Sequence, residues 1–93
     1  MLKREWVYSV IDGERDYQDA KWPLPQHKHS PSEMALYMQH YLTDAIKRFS
    51  LEPGEQGGLD SLRKVVALGV ACFEINGVPV RAEILPVDSR PNG

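Results

Sequence analysis

The chain has 93 residues, 42% hydrophobic and 26% charged, with 11 Lys and Arg against 13 Asp and Glu and a net charge of -2. That length fits one small domain, and the near-neutral balance lacks the basic footprint of a nucleic-acid-binding protein. No apolar run reaches the roughly 20 residues needed to cross a bilayer, no basic amphipathic face suits a membrane surface, and a lone Cys72 excludes an internal disulfide or a cysteine-cluster metal site.

Met1-Leu2-Lys3-Arg4-Glu5 opens without the long apolar core of a secretory signal, so a cytoplasmic location is expected. The first predicted helix runs from about Lys3 to Lys21. At about 100° per residue, Trp6, Val10, Gly13, Tyr17 and Ala20 share one stripe, widened by Val7 and Ile11. Gly13 costs about 1 kcal/mol of helix propensity against Ala, and its place on the apolar stripe predicts a close helix contact. Pro23 and Pro25 end the helix.

Ser30-Pro31-Ser32-Glu33 starts the second helix, predicted over 31–49. It pairs a Ser cap with a Glu three residues later and a Pro at the first helical position. Met34, Met38, Tyr41, Leu42, Ala45, Ile46 and Phe49 form its apolar face, and Leu36 points the other way, where it could help build a subunit contact. Glu52 through Gly58 reads as a flexible connection.

A third helix is predicted from Leu59 to Asn76, closed by a left-handed Gly77. Leu59, Leu62, Val66, Gly69, Val70 and Phe73 make its main stripe, with Val65 and Cys72 on one flank and Ala67 and Ala71 on the other. Val65 to Phe73 is apolar on every side, which demands cover on every side. Two other helices are too few to supply it, so a homodimer or higher homo-oligomer is expected. The tail, 78–93, carries three prolines and is expected to be extended, with an alternation from Val80 to Ile84 that suits a short edge strand. The expected fold is an all-α antiparallel bundle of about three helices, residues 1–93 forming one oligomeric domain with an extended C-terminal tail.

Few residues suggest chemistry. Asp12, Asp16 and Asp19 read as a solvated helix face. Glu14 and Gln18 interrupt apolar surface, and a carboxylate on a core border is either paired or functional. His27-Lys28-His29 precedes a helix N-terminus, a place that attracts anions. His40, Asp44 and Arg48, spaced by four, read as a surface ladder of a hydrogen bond and an ion pair. Arg63 and Lys64 are read as free to meet a phosphate, and Cys72 as a small buried hydrophobe. No Walker loop, dinucleotide fingerprint, zinc-protease helix or nucleophile elbow occurs.

Three segments together carry a resemblance. They are Glu14-Arg15-Asp16-Tyr17-Gln18-Asp19-Ala20-Lys21-Trp22, the His29-Ser30 lead with Tyr37-Met38 and Tyr41-Leu42, and Leu62 through Glu74. They resemble the small phage-encoded proteins described as MazG-like. The resemblance implies all-α nucleoside triphosphate pyrophosphohydrolases that oligomerise around antiparallel helices. It also implies a Mg²⁺ held by an EExxE set on one helix and an ExxD set on the next. This sequence departs there: the second helix offers Met38-Gln39-His40-Tyr41, and the third offers Asp60 and then no acid until Glu74. No catalytic residue carries over, and no metal ligand is assigned.

Two functions stay open. One is a phage-type, non-catalytic accessory protein in the host cytoplasm that binds a nucleotide or a host protein, as an anti-defence factor does. The other is a Mg²⁺-dependent nucleoside triphosphate pyrophosphohydrolase using Glu14, Asp16 or Asp19. The missing carboxylates favour the first. Its expected ligand site combines Glu14, Gln18 and Trp22 with the helix end behind His29 and with Arg63 and Lys64.

Overall fold

The computed structural model describes residues 1–23 and 28–81. They form three α-helices in chain order, α1 (Arg4–Lys21), α2 (Pro31–Leu51) and α3 (Gln56–Asn76), and no strand occurs among the described residues. The all-α class expected from the periodicity is therefore the class of this chain. Pro25, His27 and the alternation beyond Arg81 lie outside the described residues. None of these helices is long and apolar enough to cross a membrane.

α2 starts as its sequence dictates. The Ser30 Oγ accepts from the Glu33 N–H at 3.3 Å, and Glu33 Oε1 accepts from the Ser30 N–H at 3.1 Å, with Pro31 at the first position. Two otherwise orphaned donors are thereby satisfied, and the entry of the helix is fixed. α2 continues to Leu51, and a four-residue turn, Glu52 to Glu55, reverses the chain through Gly54 at φ 75°.

α3 begins at Gln56, three residues before its expected start, so Gly57 and Gly58 are helix and not connection. The reason is steric. A Cβ on Gly58 would overlap the Phe49 ring, and one on Gly57 would overlap the Glu52 carboxylate. The two glycines let the first turn of α3 press against the last turn of α2, a use of glycine that composition alone does not separate from flexibility. At the other end Gly77 takes the expected positive φ of 90°, but with ψ 164° the backbone is extended and not in the left-handed helical region.

α3 is central, because α1 and α2 each pack against it and their backbones do not approach each other. The cover is thinner than expected. Among the described residues the buried apolar side chains are Met34, Ala45, Ala67 and Ala71, and the hydroxyl of Ser61 is fully enclosed with them. The alanine flank of α3 makes the contacts. On its main stripe Leu59, Val66, Val70 and Phe73 are exposed and Leu62 and Gly69 half-buried, so α1 and α2 leave that side of α3 largely uncovered.

The same exchange occurs on α1. Trp6, Val10, Gly13, Tyr17 and Ala20 face outward, and the packed side carries Ile11, Glu14, Arg15 and Gln18. No atom of the described residues would meet a Cβ on Gly13, so the close contact expected there is not made among them. Cys72 is half-buried, not enclosed.

The two glycine environments predict opposite outcomes. Gly13→Ala should raise stability by about 0.5–1 kcal/mol, the propensity gain with nothing to oppose it. Gly58→Ala should lower it by about 1 kcal/mol, because displacing Phe49 costs more than the propensity returns. Urea unfolding of the two variants against the parent checks both signs.

Candidate functional site

α1 is fastened to α3 by charge. Arg15, 7% exposed, donates from Nε to Glu74 Oε2 at 2.6 Å, from Nη1 to Gln18 Oε1 at 3.1 Å and from Nη2 to Asp19 Oδ1 at 2.7 Å. Burial opposes the charged guanidinium, but the bonds to Glu74 and Asp19 outweigh it, and the Arg15 pKa rises. Glu14 accepts from Arg63 Nε at 2.9 Å, and Arg63 Nη2 donates to Asp60 Oδ1 at 2.6 Å. Arg63 and Glu74 stand about 16 Å apart along α3, yet their partners on α1 are neighbours. α1 therefore lies across α3, and only a short stretch of it is covered.

Since α1 and α2 diverge, a groove opens between them with α3 as its floor. Its cavity volume is about 220 Å³. Arg15, Gln18, Asp19 and Trp22 form one wall, His29, Met34, Tyr37 and Tyr41 the other, and Leu68, Ala71 and Ile75 the floor. The His29 and Tyr37 rings lie 5.1 Å apart at 60°, and the Lys21 ammonium sits 4.7 Å over the Trp22 ring. Asn76 Nδ2 donates to the His29 carbonyl at 3.3 Å, tying the lead of α2 to the end of α3.

Of the six expected ligand residues, the groove gathers Gln18, Trp22 and His29. Glu14 and Arg63 lie outside its lining and bind each other. Lys64 is also outside it, 3.7 Å from Asp60 and 5.9 Å over the Tyr41 ring. Neither basic residue is free in the way expected from the sequence. Arg15, Tyr37 and Tyr41 were not singled out. A signal for Arg15 was present, because Ile11, Arg15, Gln18 and Trp22 recur at helical spacing on one side of α1.

The N-terminus of α2 is occupied by its own capping. Hydrogen bonds from the Ser30 backbone and then its side chain, with His29 adding to them, hold the Glu33 carboxyl below the usual range. An ionised carboxylate thus stands where an incoming anion would bind. The expected surface ladder on α2 is replaced by contacts between helices. Asp44 Oδ2 accepts from Ser61 Oγ at 2.6 Å and Arg48 Nη1 donates to Asp60 and Ser61, while His40 stays on α2, its ring edge-on to that of Tyr41. No group of three or more His, Cys, Asp or Glu among the described residues is placed to hold a metal ion.

The chain matches no family model, no curated protein and no solved structure.

Replacing Arg15 with Met should cost about 1–3 kcal/mol, since three hydrogen bonds to a nearly buried guanidinium are lost. Asp19→Asn should cost under about 0.5 kcal/mol, because that carboxylate is half exposed and its pair is screened. Urea titrations followed by helicity test the contrast.

Asp60 gives the pH dependence. Burial raises its pKa, but the bonds from Arg63 and Arg48 and the charge of Lys64 together bring it below the usual value. A depressed carboxyl stabilises the fold above its unfolded pKa of about 3.9, and the contribution is lost as pH falls through the lower folded pKa. Stability should therefore decline below about pH 4, and Asp60→Asn should flatten the decline. Urea midpoints measured from pH 6 down to pH 3 read this out.

Proposed function

We propose that this chain is a MazG-like helical accessory protein of the phage type, non-catalytic, which binds a nucleotide through its base. The observation that carries the reading is the aromatic groove. Trp22, His29, Tyr37 and Tyr41 surround a space of about 220 Å³ over an apolar floor, and stacking faces beside a few polar donors suit a flat heterocycle. The donors come from Arg15 and Gln18. A guanidinium has five N–H groups, and Arg15 uses one from each nitrogen, leaving one on Nη1 and one on Nη2. The Gln18 amide nitrogen adds two more.

Charge argues for the base over the phosphates. Arg15 is balanced by Glu74 and Asp19, Arg63 by Glu14 and Asp60, and the start of α2 by Glu33. A triphosphate finds no uncommitted cation inside the groove, so the phosphates project outward past Lys21. Of the three carboxylates that the hydrolase reading uses, Glu14 and Asp19 are similarly engaged, and Asp16 faces solvent on α1. Glu14, Asp19, Asp60 and Glu74 bind arginines and Asp44 binds Ser61, which favours the non-catalytic reading over the pyrophosphohydrolase.

Titration with the four common nucleosides and their mono- and triphosphates, followed by Trp fluorescence and calorimetry, tests this. For the preferred base, nucleoside and triphosphate should bind within about tenfold of each other, and Trp22→Ala or Tyr37→Ala should weaken both by about tenfold or more. Affinity that climbs with each phosphate would sink the base-centred reading. Mg²⁺-dependent pyrophosphate release that disappears in Glu14→Gln would restore the enzyme.

A further inference from the structure

The outward face of α1, turned away from the groove, is aromatic along its centre and acidic along one edge. Trp6 and Tyr17 are each 58% exposed and Val10 is 38% exposed, and between them the Gly13 position opens on empty space. Glu5, Asp12 and Asp16 fall within about 40° of one another beside this stripe and follow it for about 16 Å. All three are exposed, and none of their carboxylates has a hydrogen bond or ion pair among the described residues. Asp19 continues the row but is held by Arg15, which is itself turned inward. The opposite edge carries Val7 and Glu14, and Glu14 is bound to Arg63. The other basic residues here, Lys3, Arg4 and Lys21, stand at the two ends of the helix.

We propose that this face is a docking surface for a protein helix that is itself amphipathic and basic. Its apolar side chains lie along the stripe from Trp6 to Tyr17, and its Arg or Lys side chains meet Glu5, Asp12 and Asp16. Charge selects that occupant. Guanidinium and ammonium groups are drawn both to carboxylates and to the faces of indole and phenol rings, and α1 sets the two side by side. The size of the stripe makes the charge decisive. Trp6, Val10 and Tyr17 together expose roughly 330 Å², under half of the about 800 Å² that one partner brings to a standard interface. Apolar contact of that extent does not choose a partner, whereas an acidic edge fixes its sign and direction, as edge charges do between paired helices. The open Gly13 position lets a helix backbone approach to the usual 8–10 Å between axes. A second copy of this chain does not meet these terms. Laid antiparallel it sets the acid row against its own, and laid parallel it sets the row against Val7 and the committed Glu14. An anionic lipid surface is repelled by the same row.

The test uses the full chain and two labelled helical peptides of about 18 residues, five turns, with the same leucines. One bears arginine along one edge and the other bears glutamate there. By fluorescence anisotropy at low salt, the arginine peptide should bind in the tens of micromolar range and the glutamate peptide about tenfold more weakly or worse. Asp12→Lys combined with Asp16→Lys should reverse that preference, and Trp6→Ala should weaken the arginine peptide by about tenfold. Leu36→Ala, on α2, should leave its affinity unchanged. The substituted side chains are exposed, circular dichroism checks that helicity is kept, and the two peptides on the parent decide even without the variants. The proposal is overturned if the parent binds both peptides alike or neither, or if charge reversal leaves the preference in place. A dimer in light scattering that Trp6→Ala dissociates overturns it too, since the face then belongs to a second copy. Base binding in the groove enters none of these readouts, so the two readings fail separately.

Discussion

Everything in this fold depends on two alanines. Ala67 and Ala71 stand one turn apart on α3, and both are buried. Small side chains allow close approach, but they remove little apolar area from water. A helix pair joined this way is well placed and weakly held. The arrangement therefore needs help from elsewhere, and the helices receive it in two forms. Between α2 and α3 it is a half-buried polar knot, with Ser61 Oγ donating to Asp44 while Arg48 bridges to Asp60. Between α1 and α3 it is the Arg15 and Glu14 clasp.

The polar contacts also do what apolar packing does badly, which is to fix register. Leu and Val slide past alanine at modest cost, whereas Arg15 with Glu74 and Arg63 with Glu14 are satisfied together in one position of α1 on α3. Displacing α1 by one turn would part Arg15 from Glu74 and Glu14 from Arg63 at once. The groove inherits its width from these contacts, because no direct packing of α1 on α2 sets it.

How legible this was in the sequence varies by level. Helix existence and the start of α2 could be read, because capping chemistry is local and Ser30, Pro31 and Glu33 state it outright. The start of α3 could not, since Gly57 and Gly58 have the same composition whether they loosen a loop or admit a neighbour's ring. The packing faces were misjudged for a physical reason. Hydrophobic periodicity reports which side of a helix is apolar, and on α1 and α3 that side is not the side turned toward the chain's own helices. For the site, Gln18 and Trp22 stood out as polar and aromatic groups on an apolar border. Arg15 did not, because a basic residue among acidic ones looks like surface until its partner, 59 positions away at Glu74, is known.

The clasp also decides what kind of receptor the groove can be. One wall of the groove belongs to a helix held mainly by two ion pairs, Arg15 with Glu74 and Arg63 with Glu14, and Glu74 is half exposed. Salt weakens such pairs, and a wall that detaches takes Trp22 and Gln18 with it. Occupying the groove must then include the work of holding α1 in place. A guest with no charge of its own would thus be released by raised ionic strength, with the electrolyte acting on the receptor and leaving the guest untouched.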